Sequence, residues 1–381
     1  MTLYIFVYLW TIVGILFAEK SLKRKKYSAF FFLSIVSLSA PILLATFRDI
    51  GVGSDTSNYV SFVWSGILSQ KDFASLLNAY LNGEFNDIEP VYLFVNWVAS
   101  WFGNDIHWLF FFSISLTIIP IFWVACLEKD KMSLTIFVTL FLLLYYTTAL
   151  NLVRQTLALS FSNCALYCFR KRKWGLTILW TTLVILSHNT GIFFLLFLVM
   201  FRFTNIKGKK VFIMNIIFVL IIVAGYFYGI KIALLIISSG LFPEKYLAYV
   251  EYIDDTGLSR SSLLTHLFIL LSFIVVYKTS KVKGYRKNTC LAMIKMKSFG
   301  TLLFMSSLIS IWTFRLSYYF NFCVDLVFLP ESLQLLKEKN RGLYNITTIG
   351  LFLGLTISFL WLSVVVGWND IYPYRSSILG F

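Results

Sequence analysis

The chain reads "SAFFFLSIVSLSAPILLATF" from 28 to 47 and then "RDIGVGSDTSNYV" from 48 to 60. The first stretch is twenty residues without a charge, the length of helix that crosses a bilayer. The second brings Arg48, Asp49 and Asp55 within eight residues, with glycines at 51 and 53. An ordinary loop between membrane helices needs only to be short and polar. The change decides the fold class. Lipid leaves backbone groups no partner outside their own helix, so the apolar run is a helix, and it ends on a hinge that carries charge.

Working outward, the same pattern recurs along all 381 residues. Hydrophobic residues make up 59% and charged ones 13%, about half the charged share of a soluble domain. Mean hydropathy is +0.79. The expected fold is an all-α polytopic membrane protein forming one transmembrane domain over 1–381. There is no soluble domain, fixed-period repeat or low-complexity tail.

The net charge of +15 does not point to nucleic acid, because of where it sits. Most of the 33 basic residues fall in short loops at 19–27, 128–131, 170–173, 202–210, 278–297 and 337–341. That is the positive-inside pattern, which makes these loops cytoplasmic, and the surplus also attracts anionic lipid headgroups. Alternating between them predicts about twelve spans, near 2–18, 28–47, 106–127, 132–150, 152–169, 174–188, 190–203, 211–236, 263–278, 298–314, 317–336 and 343–366. The run 2–18 is expected to be a retained span with its N-terminus outside, since its charges follow the apolar core. The segment 90–103 would invert every later loop if counted, so it is predicted to be a short half-membrane helix on the outer side, with Pro90 in its first turn. The outer face then holds the loop 48–105, the loop 237–262 and the tail 367–381. The five cysteines are scattered and show neither a disulfide framework nor metal spacing.

Certain polar residues sit where apolar ones are cheaper. Arg154 interrupts "YYTTALNLVRQTLALSF" (145–161), and a charge there costs a few kcal/mol unless it pairs or faces water. Asn151, Arg154, Gln155 and Ala158 have the spacing of one helix face, which suggests a polar cavity; a snorkelling arginine is the alternative. Arg315 and Tyr319 lie one turn apart in "IWTFRLSYYFNF", with the same alternative. Asp325 is either the counter-ion of an arginine or a site residue. His188 in "ILSHNTGIFF" is either structural or an acid–base group. Tyr372, Tyr374 and Arg375 in the tail suit either an aromatic belt or sugar and phosphate contacts. Taken together they describe an outward-facing cavity of arginines, carboxylates and aromatics. Arginine forks match phosphate oxygens and aromatic faces suit sugar rings, so a lipid-linked pyrophosphate sugar fits.

Five elements carry a resemblance: "FRDIGVGSDTSNYV" (47–60), "EPVYLFVNWV" (89–98), "NLVRQTLALSF" (151–161), "SHNTGIFF" (187–194) and "WNDIYPYR" (368–375). In this order they resemble the EpsG family, which includes Wzy-type O-antigen and capsular polysaccharide polymerases. Arg48, Gly53, Asp55, Thr56 and Tyr59 fit its first motif, Glu89-Pro90 and Arg154-Gln155 two later ones, and Thr190 stands where serine is more usual. The resemblance implies a fold similar to glycosyltransferase C-type membrane enzymes. It also implies transfer of a growing glycan from undecaprenyl pyrophosphate onto a lipid-linked repeat unit, at the periplasmic face of the bacterial inner membrane. A flippase or an O-antigen ligase-like transferase is the alternative.

On that reading Arg154, Arg315 and Arg48 hold the pyrophosphate, and Asp55, Glu89 or His188 takes the acceptor proton, Asp55 being favoured. Tyr59, Asn151, Gln155, Tyr319, Tyr372, Tyr374 and Arg375 position the glycan. No metal and no cofactor is expected. The expected partners are the undecaprenyl-pyrophosphate-linked oligosaccharide, membrane lipids, a chain-length regulator and a flippase, with no nucleic acid.

Overall fold

The computed structural model describes residues 1–70, 72–85, 88–204, 235, 239, 260–279, 285–305 and 314–381. Nearly all of the expected span at 211–236 and of the loop 237–262 lies outside the described residues. Among the described residues every regular element is helical and none is a strand. Five helices among the described residues are long and apolar enough to cross a membrane: 2–23, 27–46, 107–127, 261–279 and 341–365. The chain is a helical membrane protein of the multi-pass kind. Its residues fall into two compact units, Met1–Ile192 with Leu355–Phe381, and Phe193–Gly354.

In the first unit α1 (Thr2–Lys23) and α2 (Tyr27–Thr46) form a hairpin. After the hinge come α3 (Ser61–Leu68), α4 (Phe73–Leu81) and α5 (Pro90–Ser100). Asp72 caps α4 through a reciprocal bond with Ser75, and Pro90 opens α5 at a position where no intrahelical N–H is needed. Then follow α6 (His107–Leu127), α7 (Leu134–Leu144), α8 (Tyr146–Asn151), α9 (Val153–Arg170) and α10 (Trp174–Ser187). Helix α9 packs on α6 and α10. Pro120 inside α6 cannot donate to the Leu116 carbonyl, and Ser160 of α9 supplies that bond at 3.2 Å.

One expected uninterrupted helix is broken. Over 132–150 the chain turns at Tyr145, and with the turn expected between the spans ending at 150 and starting at 152, here at Leu152, the six residues of α8 stand apart. All six are buried. Irregular backbone is tolerated at such a depth when protein encloses it.

In the second unit α11 (Phe193–Thr204), α12 (Arg260–Thr279) and α13 (Tyr285–Met305) precede α14 (Phe314–Cys323). A π-turn at Val324–Phe328 joins α14 to α15 (Leu329–Lys339), and α16 (Arg341–Leu360) follows, its residues from Leu355 on belonging to the first unit. Helix α13 starts well before the expected span at 298 and takes in much of the basic segment 278–297. Lysines that read as loop residues are thereby carried on a helix.

Candidate active site at the hinge

The hinge after α2 is held by the tail. The Asp49 amide donates to the Arg375 carbonyl (2.9 Å), the Gly53 amide to the Asp370 carbonyl (2.9 Å) and the Tyr374 hydroxyl to the Leu44 carbonyl (2.9 Å). Asp49 in turn accepts from the Ser377 amide (2.8 Å) and hydroxyl (2.9 Å). Asn369 reaches Thr147 and Thr148 of α8, both at 3.4 Å.

Gly53 has φ +93°, and a Cβ there would lie 2.8 Å from the Leu150 carbonyl oxygen and 3.2 Å from the Asn151 Cα. The hinge therefore lies directly against the end of α8, where only glycine fits. Asn151 completes the contact by accepting from the Asp55 amide at 2.9 Å. Since α9 begins at Val153, Asn151 is not on the helix of Arg154, and its role is to hold the Asp55 turn.

From Asp55 the chain enters a π-turn at Thr56–Val60 that presents Tyr59. The Arg154 guanidinium lies 4.1 Å from the centre of the Tyr59 ring. It donates to Glu89 Oε2 at 2.7 Å. Glu89, 4% exposed, ends the loop before Pro90, and its other oxygen accepts from the Asn189 amide at 3.1 Å. Both carboxylate oxygens thus have partners. Burial alone would raise the Glu89 carboxyl, but Arg154 and the Asn189 amide together hold it below the usual carboxylate range. Burial pushes the Tyr59 phenol up to about 12 against the pull of Arg154, so the tyrosine is neutral.

His188 is placed by the break between α10 and the short 3₁₀ turn Asn189–Ile192. Its Nδ1 lies 3.2 Å from the Thr190 amide and 2.8 Å from the Thr190 hydroxyl. An amide can only donate, so Nδ1 is the accepting nitrogen and the proton of the neutral ring sits on Nε2. The hydroxyl at position 190 is therefore used, and threonine supplies it as serine would.

The structure gathers Asp55, Tyr59, Glu89, Asn151, Arg154 and His188 around three interruptions of helix: the hinge, Leu152 and the turn at 188–191. Gln155, 1% exposed, is buried in the first turn of α9. Arg48 is placed differently. It is 2% exposed, donates to the Ala45 carbonyl at 2.7 Å and stacks 4.2 Å above the Phe110 ring. No carboxylate pairs with it among the described residues. It terminates α2 and packs the hinge. Tyr374 is buried in the tail contact, whereas Tyr372 and Arg375 are exposed.

Arg315, half-buried, and Tyr319, fully buried, belong to α14 of the second unit. Asp325 of that unit is the counter-ion of a lysine. Lys297, 0% exposed, places its Nζ 2.8 Å from Asp325, 3.1 Å from Asn321 Oδ1 and 3.1 Å from His266 Nδ1. Sequence reasoning missed Lys297 because it sits among six other basic residues that read as one cytoplasmic loop. It also missed Asn189 and Thr190, whose backbone amides carry no sequence signal.

A model of the EpsG family matches residues 28–376, nearly the whole chain. No curated protein and no solved structure matches it.

Proposed function

We propose, from the premise that this chain belongs to the EpsG family, that it is a polysaccharide polymerase acting on lipid-linked repeat units. The family supports a membrane protein of polysaccharide polymerase type. The finer reading is ours: about twelve spans in a glycosyltransferase C-like arrangement, in the bacterial inner membrane, with the site toward the periplasm. The donor is a glycan on undecaprenyl pyrophosphate, and the acceptor is a second carrier-linked repeat unit. The O-antigen, capsular or exopolysaccharide product depends on the repeat unit offered.

The observation that carries this reading is the Arg154 fork. A buried carboxylate orients it from one side and an aromatic ring lies beneath it. Such an arginine is preorganised for an incoming anion and costs little to order when one arrives. In the reaction an acceptor hydroxyl oxygen attacks the anomeric carbon. The anomeric C–O bond breaks, the pyrophosphate leaves with its electron pair, and the hydroxyl proton passes to a base. Arg154 stabilises the charge growing on the leaving group.

The site's hydrogen bonds support one of the three candidate bases over the others. Glu89 spends both oxygens on Arg154 and Asn189, which makes it a positioning residue. His188 offers Nε2–H, a donor, because Thr190 takes its Nδ1. Asp55, half-exposed on the hinge and held by its amide, is the base. Tyr59, half-exposed, lines the glycan's approach.

The test is conversion of a purified lipid-pyrophosphate repeat unit by the purified protein. A ladder of longer glycans is expected, falling about 100-fold or more with Arg154→Lys, which keeps the charge and loses the fork. Unchanged product length with folded wild-type protein would overturn the reading. So would full rate in Arg154→Lys.

A further inference from the structure

The opposite end of the first unit carries a second feature. The turns at 19–26, 128–131 and 170–173 together hold eleven lysines and arginines against three acids. Two buried carboxylates tie these turns into one edge. Glu19 accepts from Ser133 at 2.7 Å and from the Thr135 amide at 2.9 Å. Glu128 lies 2.5 Å from Lys131 and 3.1 Å from Lys171. With these acids committed inward, the outward charge is almost entirely positive.

Two of the turns have the same backbone. At the end of α1 the Lys26 amide donates to Ser21 (2.9 Å) and the Lys25 amide to Leu22 (2.9 Å). At the end of α9 the Lys173 amide donates to Cys168 (2.9 Å) and the Arg172 amide to Phe169 (3.0 Å). Both are Schellman turns, which place one residue in the left-handed region, a position that favours glycine. Here that residue is Lys25 (φ 58°) in one and Arg172 (φ 57°) in the other. The end of α4 closes through the same two bonds, Glu84 to Ala79 and Gly83 to Tyr80, and there the left-handed residue is glycine, Gly83. The chain thus uses glycine where the turn alone matters and a strained cation at both basic turns.

The helix dipole does not account for these cations. Lys20, Lys23 and Arg170 already lie in the last helical turns, while Lys25, Lys26, Arg172 and Lys173 lie beyond them and are exposed.

We propose that the twin turns at Lys25-Lys26 and Arg172-Lys173 are binding sites for anionic phospholipid headgroups. In each turn the left-handed residue is directly followed by a second exposed cation, and the positive-inside pattern places both turns on the side of the anionic headgroups. A phosphate there meets two cationic side chains at once. This site is independent of the glycan chemistry proposed above.

The test compares the full-length protein in nanodiscs of pure phosphatidylcholine with nanodiscs holding a third phosphatidylglycerol, reading bound phosphatidylglycerol by native mass spectrometry and the melting temperature in each. In Lys25→Gly/Arg172→Gly retention should weaken about fivefold for each charge removed. The melting temperature in phosphatidylcholine alone should hold or rise, because glycine relieves the backbone. Lys25→Asn/Arg172→Asn should behave alike, and Lys339→Gln/Arg341→Gln, with the same charge loss elsewhere, should retain the lipid. Retention in the glycine and asparagine pairs equal to wild type, or to the 339/341 pair, would overturn the proposal.

Discussion

Glu89 and Gly53 show how single residues set the geometry of the hinge. Glu89 accepts a hydrogen bond from Arg154, and its folded pKa is depressed. Such a group stabilises the fold above its unfolded value, about 4.3, and loses that contribution as pH falls through the lower folded value. Thermal unfolding of the solubilised protein should therefore be flat from about pH 7 to 5 and fall below about pH 4. Glu89→Gln should be less stable at neutral pH, by about 2–4 kcal/mol, and less sensitive to acid. An acid limb of the same steepness in the variant would refute the pairing. Gly53→Ala meets both a positive φ and the Leu150 carbonyl, so about 2 kcal/mol or more of destabilisation is expected. Gly51→Ala, with open space around the added carbon and ordinary φ, should change little by the same unfolding measurement.

At the scale of elements, breaks in helices do more than the helices themselves. The hinge, Leu152 and the 188–191 turn each bring a residue to the site that a continuous helix would carry away. In the second unit three elements meet at Lys297, whose three N–H donors match acceptors on α12, α14 and the following π-turn. A closed set of this kind is costly to open and inexpensive to replace. Lys297→Met alone should cost about 3–5 kcal/mol, whereas Lys297→Met with Asp325→Leu should recover most of it. A double variant no more stable than the single one would show that the pair does not act as a unit. The helices themselves were legible in the sequence because apolar runs announce them: α1, α2, α6, α12 and α16 begin and end within a few residues of expectation or run somewhat longer. Helix α13 was only half legible, since its first half is basic and the apolar pattern starts late. The break that frees α8 was not legible, because both sides of it are apolar.

For the whole molecule, the sequence motifs separated by about a hundred residues converge in the first unit. The order of charges told which residues were unusual, but not which would pair. Glu89 with Arg154 and Lys297 with Asp325 depend on distances in space that spacing along the chain does not encode. The alternation of basic turns remains the basis of orientation. Reporter fusions at 26 and 173 should be active on the cytoplasmic side and fusions at 104 on the outer side; the reverse pattern at any one of them would overturn the predicted topology. The tail carries a consequence for synthesis. Ser376 and Ser377 bond to Phe47 and Asp49 across 329 and 328 positions of sequence. Until those later residues emerge from the ribosome, the start of the hinge at Phe47 and Asp49 lacks these partners, while Asn151 already holds the Asp55 turn. A nascent chain already threaded into the membrane therefore completes its hinge only when residues 376 and 377 have been made.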